Sequence, residues 1–229
     1  MQPKISLITG ANGGLGTQVT KTILEAGFTV VGLAPKIKQS DFNHPNFTAL
    51  PAALDSLDSA RKATDAVIAK FNRIDVLVHT VGGFSGGRPI HETDDATFRK
   101  MFDMNVNAAF HILRAVIPHM RQVRSGRIIG IGSRAGEIPA ATIGAYSASK
   151  AAFESFMRTV ALENKDAGIT ANVILPGTID TPANRQSMPG ADTTQWVKPE
   201  TIASLIVWLA RDAGTDVNGA AIPVYGGAL

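Results

Sequence analysis

The 229-residue chain has no cysteine. That excludes disulfide scaffolds, thiolate metal sites and cysteine nucleophiles. No apolar stretch approaches the roughly 20 residues that a membrane-spanning helix needs, so a membrane partner is not expected. No block of like charge occurs either. The 22 Lys and Arg and 19 Asp and Glu are scattered, giving a net charge of +3. Scattered charge reads as solvated faces, not as a nucleic-acid surface. Internal repeats, low-complexity tracts and interdomain linkers are absent. The chain leads almost directly into an apolar run without a signal-like segment, which points to a soluble, cytoplasmic protein. His44, His79, His91, His111 and His119 show no pairing that suggests a metal site, so no metal is expected.

What remains reads as one α/β domain over residues 1–229, long enough for a sizeable core. Short apolar runs such as Val76-Leu-Val78 and Val173-Ile-Leu175 suit buried parallel strands. Strands are expected near 4–9, 28–34, 47–52, 74–80, 126–132, 169–175 and 220–224. Helices are expected near 15–26, 57–71, 95–122, 145–165 and 199–211. The alternation implies a doubly wound, Rossmann-like parallel sheet of about seven strands flanked by helices, with the ligand beyond the strand C-termini. Between the second and third strands about a dozen residues remain, which leaves room for a loop or one turn.

Two motifs carry chemistry. Thr9-Gly-Ala-Asn-Gly-Gly-Leu-Gly16 follows the run Ile5–Ile8 and precedes a helical pattern. Strand, glycine loop, helix is the context of a dinucleotide site. Gly10 permits a tight turn, Gly14 admits the pyrophosphate, Gly16 allows close packing, and the helix N-terminus favours an anion. Asn12, Gly13 and Leu15 complete the loop. At the other motif, Tyr146 and Lys150 lie four residues apart and share a helix face. An ammonium beside a phenol lowers the tyrosine pKa and readies it for proton transfer. Alone, such a pair would be a surface Tyr and a surface Lys; the glycine loop overturns that reading.

The chain resembles the short-chain dehydrogenase/reductase family over its length. The family's TGxxxGxG is matched by Thr9, Gly10, Gly14 and Gly16, and its YxxxK by Tyr146 and Lys150. Its strand-end serine is matched by Ser133, its helix asparagine by Asn105, and its Pro-Gly segment by Pro176-Gly-Thr-Ile-Asp-Thr181. The resemblance implies that Tyr146 passes the proton and Lys150 tunes it and holds the nicotinamide ribose. It implies that Ser133 holds the substrate oxygen, and that Asn105 binds a relay water. Thr178 and Thr181 would touch the nicotinamide end or pyrophosphate. Where relatives carry Asn-Asn-Ala-Gly, this chain reads His79-Thr-Val-Gly82; Gly82 still admits the adenosine half. Asp55 corresponds to the residue beside the adenine amine. The second strand ends Gly32-Leu-Ala-Pro-Lys36 without a carboxylate, and Lys36 and Lys38 suit a 2′-phosphate. NADP(H) is therefore favoured slightly over NAD(H).

The expected reaction is hydride transfer between the nicotinamide and a small carbonyl or alcohol. A polar segment with Pro and Gly, about 181–198, reads as a lid, with Arg185 suited to an anion and Met188 and Trp196 to an apolar wall. Gly82-Gly-Phe-Ser-Gly-Gly87 forms a second rim, with Phe84 facing the pocket. These segments are similar to those of quinonoid dihydropteridine reductases, so a pterin substrate is one alternative. A non-catalytic dinucleotide sensor is another, which the intact Ser/Tyr/Lys set argues against. The family implies a homodimer or homotetramer built on the helices over 95–122 and 145–165, where Ala151, Ala152, Phe153, Phe156 and Met157 offer extra apolar surface.

Overall fold

Seven short, mostly apolar runs become strands, the five central ones buried on both faces and the two at the sheet edges half-buried. In the computed structural model, which describes residues 3–227, these are β1 (Ile5–Thr9), β2 (Thr29–Ala34), β3 (Phe47–Pro51), β4 (Val76–His79), β5 (Gly126–Ile131), β6 (Ile169–Pro176) and β7 (Ala221–Val224). All pair in parallel, in the order β3-β2-β1-β4-β5-β6-β7. The domain limits read from the sequence, residues 1 and 229, lie outside the described residues. The order reverses at β1 and β4, where Thr9 is registered beside His79. A ligand crevice forms beyond the strand ends at such a switch point.

Alternation along each strand divides the core into two layers. Leu7, Leu77, Ile128 and Val173 face helices α2 (Leu57–Phe71), α4 (Ala108–Val123) and α6 (Gly144–Asn164). Ile8, Val78, Ile129 and Ile174 face α1 (Gly14–Glu25) and α8 (Pro199–Ala210). Each fully buried Leu or Ile side chain contributes on the order of 1.5–3 kcal/mol. Local signals set the helix ends. Ser56 caps α2 by accepting from the Ser59 N–H at 3.2 Å, and Asn72 closes it in the left-handed region at φ 60°.

The helix expected over 95–122 is present, with a π-helical turn inside it. Helix α3 (Asp95–Phe102) runs into a π-helical turn at Asp103–Asn107 before α4 begins. Asn105 lies within that turn, where its buried side chain bonds outside the helix, and π-turns of this kind recur at functional sites. Two short helices escaped the periodicity, α5 (Arg134–Glu137) and α7 (Pro182–Ser187). The β2–β3 connection holds a single 3-10 turn, Gln39–Asp41. Phe153 and Met157, read from the sequence as surplus apolar surface, are each 1% exposed core residues because α6 is buried on more than one side.

Candidate active site

The glycine loop sits where the sheet's switch point requires. Gly10 adopts φ +69°, and its N–H donates to the Leu33 carbonyl at 2.7 Å. A Cβ on Gly16 would lie 2.0 Å from the Gly10 carbonyl oxygen, so nothing larger fits. Helix α1 has no side-chain cap and no acidic residue in its first turn. Its free N–H groups therefore point toward any anion brought to the loop. A cleft of about 470 Å³ opens there, lined by Asn12, Gly13, Gly14, Thr17, Asp180 and Glu200. Leu15 is half-buried behind the loop. These residues fit a dinucleotide pyrophosphate. Thr181 is buried against Gly14, whose Cβ position lies 3.2 Å from the threonine Cβ.

Ser133 ends β5 and caps α5, accepting from the Ala135 N–H at 3.2 Å. The same hydroxyl acts on the Tyr146 phenol and favours its ionised form. A hydroxyl can donate and accept at once, so capping and a catalytic contact coexist. Lys150 projects from the same face of α6 as Tyr146 and donates to the Ile131 carbonyl at 3.0 Å. Its Nζ lies 5.8 Å from the Phe153 ring centroid. Burial pushes the Lys150 ammonium down to about 8.

The electrostatics differ from the sequence-based expectation at Tyr146. Burial raises the phenol above its ordinary value, and the Ser133 hydroxyl offsets only part of that. Lys150 was expected to lower it, but the ammonium is directed at a main-chain carbonyl and burial of the ring prevails. The phenol is therefore a protonated donor at neutral pH.

Asn105 is 1% exposed and fully engaged. Its Oδ1 accepts from the Gly83 N–H at 2.9 Å; its Nδ2 donates to the Gly83 carbonyl at 3.0 Å and to Ser149 Oγ at 3.0 Å. Ser149 Oγ in turn donates to the Tyr146 carbonyl at 2.7 Å. Asn105 thus ties the glycine rim to the tyrosine helix. A Cβ on Gly82 would lie 3.1 Å from Lys150 Nζ, so the rim's backbone presses close to the ammonium. Ser149 was missed in the sequence, although its spacing of three from Tyr146 places both on one helix side.

Phe84 reaches the site: its ring meets Tyr146 edge-on at 5.0 Å while remaining 64% exposed. Beside it a polar cleft of about 250 Å³ is lined by Ser85, Arg88, Thr93, Asp94 and Thr142, none of which the sequence singled out. Arg185 is held in a two-point pair with Asp180, at 2.6 and 2.8 Å. Met188 is exposed and Trp196 half-buried; among the described residues no hydrogen bond or ring contact links either to Tyr146. Pro176 is buried at the end of β6, the Gly177 N–H donates to the Val224 carbonyl at 3.0 Å, and Thr178 is exposed beyond it. Lys36 and Asp55 are exposed at the ends of β2 and β3. His79 is buried and shares a 2.9 Å hydrogen bond with Thr9 Oγ1. Burial first, and Lys150 second, push it down to about 3. It is neutral, a structural strand-end group.

The sequence model of the short chain dehydrogenase family matches residues 4–192. The chain is 30% identical to the uncharacterized oxidoreductase YvrD of Bacillus subtilis, covering 100% of this chain and 97% of that one. It is 29% identical to the 3-oxoacyl-[acyl-carrier-protein] reductase FabG of Salmonella typhimurium, covering 98% and 96%. Among solved structures, the Pseudomonas aeruginosa RhlG/NADP active-site complex superposes with a TM-score of 0.89 at 30% identity, covering 98% of this chain and 96% of that one. With the glycine loop and the Ser133/Tyr146/Lys150 cluster built on the same sheet, the chain belongs to the short chain dehydrogenase family and is an NAD(P)-dependent oxidoreductase.

Proposed function

We propose that the chain reduces a small, uncharged carbonyl compound, with NADP(H) favoured over NAD(H). The observation that carries this is the buried, protonated Tyr146 phenol under the influence of Ser133, with Lys150 bound to the Ile131 carbonyl at the end of β5. A bound nicotinamide cofactor supplies hydride chemistry that the protein lacks. Ser133 Oγ orients the substrate oxygen and steadies its developing charge. Tyr146 Oη gives the proton to that oxygen. Lys150, anchored on the Ile131 carbonyl one helical turn after Tyr146, supplies the positive charge of the site as the phenol gives up its proton. Asn105 and Ser149 fix the spacing between rim and helix. Gly10, Asn12, Gly13, Gly14, Gly16, Gly82, Asp55, Pro176, Gly177, Thr178 and Thr181 would border the cofactor, with residues 181–198 as its lid. Arg185 is neutralised by Asp180 and so does not call for an anion, while the cleft beside Phe84 favours a substrate with hydroxyl or amide groups.

The test pairs NADPH and NADH oxidation against diketones, acetoacetyl thioesters, aldehydes, sugars and quinonoid dihydropterin with the Tyr146→Phe variant. Carbonyl turnover should fall by about 10²–10⁴-fold in the variant while cofactor Kd stays within about twofold, since only the proton donor is lost. Near-normal turnover by Tyr146→Phe would remove the proton-donor role. Turnover of the pterin alone would replace the carbonyl reading, and binding without turnover on every compound would favour a sensor. We also propose a homodimer or homotetramer through α4 and α6, in a cytoplasmic setting. The exposed Phe110 and Phe156, whose rings meet at 5.8 Å, support that assembly.

A further inference from the structure

At the edge where β1 and β2 end, the glycine loop faces the segment that follows β2. Two buried side chains pin that segment: Ile37 at 2% exposure and Phe42 at 5%, the latter packed on the Phe47 ring at 4.7 Å. Between them lies the Gln39–Asp41 turn. Gln39 clamps the turn to β3 with both ends of its amide, donating to the Phe47 carbonyl at 2.9 Å and accepting from the Ala49 N–H at 3.0 Å. These contacts hold the turn in place and with it the position of its last residue, Asp41. One carboxylate oxygen of Asp41 accepts the Lys38 main-chain N–H at 3.1 Å and the Asn12 side-chain amide at 3.1 Å.

The strand end carries no acid, which is why sequence spacing directs attention to Lys36 and Lys38. The fold brings a carboxylate to the same edge by another route. We infer that Asp41 is a specificity-determining residue for the cofactor, setting the balance between its 2′-hydroxyl and 2′-phosphate forms through its contact with Asn12. The inference rests on the dinucleotide reading of the glycine loop. A carboxylate can accept a hydrogen bond from a ribose hydroxyl and repels a phosphate. Lys36 and Lys38, both exposed at this edge, attract the phosphate. Asp41 therefore restrains the NADP(H) preference that the lysines create, and NADH remains a usable ligand.

Direct titration tests this, with Kd for NADH and NADPH measured by ligand fluorescence on the wild type, Asp41→Asn and Asp41→Ser. Removing one like charge from this solvent-exposed edge should tighten NADPH by about fivefold, with NADH unchanged or weaker. The gain should shrink at about 0.5 M salt, because exposed charges are screened. Two variants guard against a folding defect, which circular dichroism would reveal. A ratio of the two Kd values that stays within twofold of wild type in folded variants would overturn the role of Asp41. Wild-type protein that bound neither nucleotide would instead overturn the dinucleotide reading itself.

Discussion

At the residue scale, burial controls this site more than charge pairing does. The phenol of Tyr146 is raised and the ammonium of Lys150 lowered, both chiefly by desolvation. The identities of these residues were legible in the sequence, because an i, i+4 spacing fixes a shared face. The sign of the tyrosine shift was not, since burial depends on strands and loops far away in sequence. His79 shows the same effect in a form that stability measurements can read. Its folded value of about 3 lies below the ordinary 6.5. Between those values the unfolded chain binds more protons, so stability rises with pH across that window and is lost on acidification. The slope from this one group approaches about 1.4 kcal/mol per pH unit. In His79→Asn, denaturant midpoints between pH 4 and pH 6.5 should fall less steeply than in wild type. Identical slopes would mean that the imidazole is protonated in the fold.

At the element scale, the strands were legible to within a residue or two because a parallel strand buried on both faces has an unbroken apolar run. Helix 95–122 was read at its full length, but the π-helical turn at Asp103–Asn107 was not, because Asn105 bonds to Gly83 and Ser149, partners that no local pattern reveals. Arg134–Glu137 and Pro182–Ser187 are too short for a helical period to show. The glycine loop lies between strand and helix as expected, and its tolerance can be ranked. A Cβ on Gly16 would lie 2.0 Å from the Gly10 oxygen and 2.8 Å from its carbonyl carbon, both main-chain atoms, whereas a Cβ on Gly13 would lie 3.1 Å from that oxygen. Overpacking against backbone costs on the order of 1–3 kcal/mol or more. Gly16→Ala should therefore weaken cofactor binding at least tenfold and lower Tm, while Gly13→Ala should have a much smaller effect. Paired titrations and thermal melts would show it, and equal behaviour of the two variants would contradict the loop geometry.

At the scale of the whole molecule, the sheet and both core layers account for the buried apolar residues, and a further apolar set stays outside. Phe98 is 48% exposed, Phe110 43% and Phe156 37%. Phe110 packs on Phe156 across α4 and α6, and the Arg114 guanidinium lies 5.1 Å from the Phe110 ring centroid. Phe153 and Met157 were expected to join this surface, but they belong to the core. An exposed aromatic pair with an arginine beside it suits burial against a second copy, since aromatic residues and Arg are enriched in interface cores. A carboxylate placed there would be stranded unpaired in the contact. Phe156→Glu should thus shift the mass measured by light scattering toward the 24.1 kDa monomer while leaving the Tm of the isolated fold within a few degrees. Wild-type protein that already ran as a monomer at working concentration would show that the aromatic face serves some other purpose.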